Sequence, residues 1–218
     1  MTVAQPEGPL SEGIRTLEVR WIFPGELETV VAGWFGQFTG GTESRQDTYL
    51  VSPHLPGLSV KVRGGRALEV KVYRGSPGIL EVAGRARGRM ESWQKWSFPC
   101  GRLSQGSGEV AGWRQVHKRR RIGWFSPASE PISARVPAPG EEPGCTVELT
   151  EVFTGSEAWW SLGFEATGAA DLVRGELQAS AGLVFAGALP GDVELSMDHS
   201  RSYAEWLWQR SGAEDRQR

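Results

Sequence analysis

The chain has 218 residues, of which 39% are apolar and 23% charged, and its formal net charge is −2; that is enough to bury an ordinary core as one domain. No apolar run approaches the roughly 18–20 residues that cross a bilayer, and the start of the chain lacks the basic and apolar stretches of a secretion signal, so a soluble cytoplasmic protein is expected. Cys100 and Cys145 lie in Gly/Pro-containing loops and are expected to be free thiols, and three scattered histidines (His54, His117, His199) argue against a structural zinc site.

In chain order, residues 1–13 read as a loose tail, residues 14–210 as one folded domain and residues 211–218 as a second tail. Thr16 to Phe23 alternates like a strand. Pro24 then opens a helix whose Leu27, Val30, Val31, Trp34, Phe35 and Phe38 recur at spacings of three and four. Further strands are predicted over Thr48 to Val51, Leu58 to Arg63, Leu68 to Tyr73, Arg89 to Phe98, Trp113 to Ile122, Cys145 to Phe153 and Trp159 to Thr167, separated by Gly, Pro and Ser turns. Phe125 to Gly144, with five prolines, reads as a loop. Asp171 is placed to cap a helix over Leu172 to Ala186, and Ser202 to Trp208 predicts a short last helix.

Charge is distributed unevenly along these elements. Fifteen of the 24 Lys and Arg residues lie between Gly57 and Arg121, against only four acids, Glu69, Glu81, Glu91 and Glu109. Such asymmetry points to a charged ligand or partner. In the strands Leu58 to Arg63 and Leu68 to Tyr73 apolar residues occupy one face and charged residues the other. That alternation fits an ordinary solvated face, or a closed barrel whose lumen is the charged face and whose outer face is covered by helices. The second arrangement is favoured, because an outward polar face repeated over five strands would need so many bases and so few acids only by accident. It turns Arg20, Lys61, Arg63, Lys71, Arg89, Lys95, Lys118 and Arg120 inward together with Glu18, Glu69, Glu91, Glu165 and Trp93.

The order of short motifs resembles the CYTH superfamily, the triphosphate tunnel metalloenzymes that include thiamine triphosphatases, inorganic triphosphatases and one class of adenylyl cyclase. The counterparts are Thr16-Leu17-Glu18-Val19-Arg20, Lys61-Val62-Arg63, Glu69-Val70-Lys71, Arg89-Met90-Glu91, Val116-His117-Lys118-Arg119-Arg120, Glu165-Ala166-Thr167 and Ser202-Tyr203, over about 190 residues. None is specific alone; their shared order carries the likeness. The resemblance implies an α+β fold, an eight-stranded antiparallel β-barrel or tunnel with flanking helices, that binds a phosphorylated small molecule or polyphosphate. It further implies metal-assisted hydrolysis of a phosphoanhydride. Arg20, Lys61, Arg63, Lys71, Arg89, Lys118 and Arg120 would hold phosphate, and Glu18, Glu91 and Glu165, supplemented by Glu148 or Glu151, would hold Mg²⁺ or Mn²⁺. A metal-oriented water would attack, with Lys95 the one side chain placed to assist.

Two positions depart from the family pattern. Thr16 stands where the first metal-binding Glu would be, with Arg20 for the motif's Lys, and Thr167 replaces the second Glu of the late strand. Each Thr removes a carboxylate from the metal side, so an alternative is a catalytically reduced protein that binds a phosphorylated ligand or anionic polymer without turnover. A barrel carrying an apolar ligand, suggested by the ten tryptophans, would need an uncharged lumen. The basic run Trp113 to Ile122 invites a nucleic-acid surface, which a pI near 6.0 and the acid elsewhere argue against.

Overall fold

The computed structural model describes residues 12–39, 41–52, 54–55, 57–100, 112–126 and 143–214. Residues 1–11 of the first tail and most of the proline-rich segment from Phe125 to Gly144 therefore lie outside the described residues. Eight antiparallel strands, β1 (Ile14–Pro24), β2 (Thr42–Leu50), β3 (Leu58–Arg63), β4 (Ala67–Val82), β5 (Ala86–Pro99), β6 (Trp113–Phe125), β7 (Gly144–Thr154) and β8 (Glu157–Thr167), close into a barrel in the order β1-β5-β4-β3-β2-β6-β7-β8. Closure gives every strand two neighbours and sorts side chains between lumen and outer wall with period two.

The outer wall carries the main core. Leu17, Val19 and Trp21 of β1, Val147 and Leu149 of β7, and Leu162 and Phe164 of β8 are covered by Leu177, Ala181 and Val184 of helix α2 (Val173–Val184). Trp21 is fully buried, donates its indole N–H to the Arg87 carbonyl and meets Phe164 and Phe185 edge-on. Val31 and Phe35 of helix α1 (Thr29–Phe35) join the same core. This is why both faces of β1 are buried although only one is apolar. A second cluster sits at one end of the lumen, where Trp206 and Leu207 of helix α3 (Tyr203–Glu214) pack against Ile22, Tyr49, Val116 and Val152. Ser202 caps α3 by accepting the Glu205 N–H at 3.2 Å. Among the described residues no helix is long and apolar enough to cross a membrane.

Several sequence expectations change in detail. The first helix begins at Thr29 rather than Pro24, because Gly25 takes a φ of +90° and its N–H bonds to the Ala158 carbonyl; it ends in a 3-10 turn, Gly36–Phe38. Asp171 does not cap α2; the chain enters through a turn in which the N–H groups of Leu172 and Val173 bond to the Ala169 carbonyl. β2 starts six residues before Thr48 and β4 runs nine residues past Tyr73. The β4 extension passes two register shifts at Gly75 and Gly78, whose φ angles of +123° and +127° suit glycine alone. α3 continues through Glu214.

Candidate functional site: a charged barrel lumen

The lumen is a cavity of about 400 Å³ lined by ten basic and six acidic side chains, with Asp47 fully buried beneath them. Arg20, Lys61, Arg63, Lys71, Arg89, Lys95, Lys118 and Arg120, and Glu18, Glu91 and Glu165, all line it, as do Glu69 and Trp93. A charged lumen disposes of the apolar-carrier alternative. In the basic run, alternation sends Val116, Lys118 and Arg120 inward, while His117 and Arg119 are exposed, and Arg119 and Arg121 pair with Glu151. Glu151 therefore lies outside the lumen, and Glu148 faces it.

Sequence reasoning missed three charged lumen residues of β2, Glu43, Arg45 and Asp47, and with them Tyr49. Their strand, Thr42 to Leu50, has polar residues on both faces for most of its length, so no apolar alternation marks it. Arg45 grips Asp47 through two hydrogen bonds of 2.8 and 3.1 Å, and Lys61 lies 3.4 Å from the same carboxylate. Burial alone would raise Asp47; Lys61, Lys118 and Arg45 outweigh it and hold the carboxyl well below the usual range. The same contest drives Glu69 down to about 2, where Lys61 at 3.0 Å and Arg63 at 2.9 Å defeat desolvation. Glu148 is treated likewise by Arg120 and Arg20.

One lumen glycine is as informative as any charge. Gly163 of β8 stands in register with Arg20 of β1, and a Cβ there would lie 2.7 Å from the Arg20 Cζ. The missing side chain is the slot that lets the Arg20 guanidinium lie flat across the lumen, 3.2 Å from the Ser161 hydroxyl and 4.5 Å from the centre of the Tyr203 ring.

In the next inward row of the same two strands, register builds a row of three carboxylates. Glu18 of β1 is paired with Glu91 of β5 on one flank and Glu165 of β8 on the other. The two threonines that depart from the family pattern, Thr16 and Thr167, are paired with each other in the adjacent inward row. The resemblance would make that two-by-two patch four carboxylates; here it holds two. The Lys71 ammonium lies where those two converge, 2.5 Å from Glu18 Oε1 and 3.3 Å from Glu165 Oε2, and Lys95 reaches Glu165 Oε1 at 3.0 Å. The Thr16 hydroxyl donates to Glu18 Oε1 at 2.8 Å. Burial would lower Lys71 and raise Glu165, but their mutual attraction reverses both directions. Glu91 is turned aside, bonded to Arg89 and to the Trp93 indole N–H at 3.2 Å, and its carboxyl is raised because desolvation outweighs Arg89. Among the described residues no three His, Cys, Asp or Glu side chains form a metal-ligand group. The donor set thus does not fit the divalent metal that the resemblance implies: Lys71 supplies the positive charge at the point of convergence, and hydroxyls replace half the carboxylates.

Lys118 is a buried and poorly compensated cation of the lumen. Its side chain is 3% exposed, and its ammonium donates to the Tyr49 hydroxyl at 2.8 Å and lies 3.5 Å from the centre of the Tyr203 ring. Its nearest carboxylate oxygen, on Asp47, is 3.9 Å away and already held by Arg45 and Lys61. Burial, reinforced by Lys61, pushes Lys118 well below the ordinary lysine range. Both cysteines are free, and burial pushes the Cys145 thiol up to about 12.

No family model matches the chain, and no curated protein matches it in sequence. Solved structures do. A conserved hypothetical protein from Pyrococcus furiosus is 17% identical with a TM-score of 0.44, covering 86% of this chain and 98% of its own. A putative adenylyl cyclase from Hippeastrum, described as having a dominant triphosphatase activity, is 8% identical with a TM-score of 0.45, covering 90% and 96%. A mimivirus capping enzyme triphosphatase is 9% identical with a TM-score of 0.43, covering 80% and 91%. In its closed eight-stranded antiparallel barrel with three helices outside the strands, the chain has the tunnel architecture that its resemblance to the CYTH superfamily implies.

Proposed function

We propose that the lumen binds the phosphate chain of a phosphorylated small molecule or polyphosphate, and that it does so through its own cations without metal-assisted turnover. The observation that carries this reading is Lys118, a buried ammonium that, among the described residues, has a phenol as its only hydrogen-bond partner and no carboxylate within hydrogen-bonding distance. A phosphate oxygen beside it would restore the opposite charge that desolvation leaves wanting. Arg20, Lys61, Arg63 and Arg120 line the same cavity and would share the anion. The carboxylates Glu18 and Glu165 are neutralised by Lys71 and Lys95, which supports binding over the hydrolysis expected from the resemblance.

The test is calorimetric binding of inorganic triphosphate, ATP and thiamine triphosphate, run beside phosphate release with Mg²⁺, with Mn²⁺ and with EDTA. Micromolar binding without turnover is expected, lost in a Lys61→Ala/Arg63→Ala protein. Hydrolysis that appears only in a Thr16→Glu/Thr167→Glu protein would support the binding role of the natural chain; metal-dependent turnover by the natural chain would overturn it.

A further inference from the structure

A second cavity, of about 280 Å³, opens beside the lumen where α3 faces the end of β2 and the start of β3. Its walls are mainly apolar, supplied by Leu50, Val51, Leu58 and Leu207. Three of the chain's exposed large apolar side chains converge on it: Leu55 is 42% exposed, Tyr73 36% and Trp208 47%. Apolar surface left open in a cluster marks a binding site far more often than the same residues scattered singly.

Trp93, Arg89 and Ser59 line this cavity and the charged lumen alike, so the two adjoin at these side chains. The Trp93 ring is held in place by its N–H bond to Glu91 and by Tyr73, which packs edge-on with centroids 5.2 Å apart. Arg89 stands at the junction, bound by Glu91 and by Glu205 of α3, so its guanidinium marks where charge gives way to hydrocarbon. Neither the lumen's phosphate-binding cations nor the carboxylate row has any use for such a wall.

We infer that the ligand is an organic di- or triphosphate whose substituent offers an apolar surface, either the face of a planar ring or a hydrocarbon chain, and that this substituent lies in the side cavity past Trp93 while its phosphates occupy the lumen. The inference rests on the proposed phosphate-binding function and narrows it, because an inorganic polyphosphate would leave the apolar cavity unused. Entry of such a group removes apolar surface of both partners from water, and the preference it creates grows with the area buried.

The experiment compares dissociation constants for inorganic triphosphate and ATP, and for inorganic diphosphate and farnesyl diphosphate, in the natural chain and in a Leu55→Ser/Trp208→Ser protein. Both substituted residues are substantially exposed, so folding is retained, and a thermal melt checks it. At least tenfold tighter binding of one organic ligand than of its inorganic counterpart is expected, falling to near parity in the variant with inorganic affinity unchanged; which organic ligand wins tells ring from chain. Equal affinities in the natural chain, or a preference that survives the substitutions, would overturn the inference while leaving the phosphate site standing. Failure of inorganic triphosphate to bind at all would overturn the underlying function as well. A dimer in solution that the same substitutions dissociate would assign the cavity to a second copy of the chain and overturn it too.

Discussion

Replacing Lys118 by methionine separates the two roles of a buried charge. Methionine keeps the unbranched length of the lysine stem, so packing against Tyr49 and Tyr203 is conserved while the ammonium is deleted. A phosphate charge about 4 Å from the ammonium is worth ~4 kcal/mol at an effective dielectric of about 20, and partial sharing with Arg20 and Lys61 brings the expected loss to about 2–4 kcal/mol, or roughly 30- to 1,000-fold in affinity. Stability without ligand should move the other way, because the desolvation of a poorly compensated cation is relieved and Asp47 retains Arg45 and Lys61. The sign in pH follows. Lys118 is depressed when folded, so above its depressed value anion binding draws a proton onto it, and affinity should fall as pH rises at values where an ordinary lysine would still be charged. Calorimetry in buffers of different ionisation enthalpy, beside thermal melts, measures all three. Triphosphate affinity within twofold of the natural chain, or weaker binding matched by an equal loss of stability, would refute the reasoning.

Other substitutions probe the rest of the lumen. Lys71→Met removes the cation between Glu18 and Glu165, and Mn²⁺ binding seen by electron paramagnetic resonance should appear in the variant while being at least tenfold weaker in the natural chain. Acid should destabilise the fold steeply: Glu69 falls from 4.5 to about 2 on folding, so ~3 kcal/mol is fully present above about pH 4.5 and is lost as pH drops toward 2, and Glu69→Gln should flatten that limb of a pH–stability curve. Gly163→Ala sets a methyl group against the Arg20 guanidinium and should weaken triphosphate binding about tenfold, while the melting temperature shifts little because the side chain that must yield is flexible. Retained affinity in that variant would show that Arg20 is not a ligand-binding residue.

Charge alternation in the sequence located the lumen because opposite faces of β1, β3 and β4 differ so plainly in chemistry. Lys61 and Arg63 flank Val62, so parity alone assigns their direction, whereas β6 carries bases on both faces and only burial separates Lys118 and Arg120 from Arg119. Parity does not say how far round the barrel two inward residues lie from each other. The Glu91–Glu18–Glu165 row and the pairing of Thr16 with Thr167 depend on register across three strands widely separated in the chain. Lys71 reads in the sequence as one more phosphate-binding base; only the shape of the closed lumen puts its ammonium between two carboxylates. Gly163 and Asp47 were invisible for opposite reasons. The first contributes by lacking a side chain, and the second lies in a strand whose polar residues give no apolar period.

Pairing of β1 with β8 also governs when the lumen can exist during synthesis. Glu18 meets Glu165 only after almost the whole barrel has left the ribosome, and until then β1 presents Leu17, Val19 and Trp21 without the strand and helix that cover them. Long-range closure of this kind is slow compared with local hairpins, so the emerging chain holds an uncovered apolar strand for the longest interval its topology permits. The basic stretch between β3 and β6 emerges before Glu148 and Glu165, and its inward lysines and arginines receive those two counter-charges last. Until those carboxylates arrive, the inward face of the emerging sheet is strongly cationic.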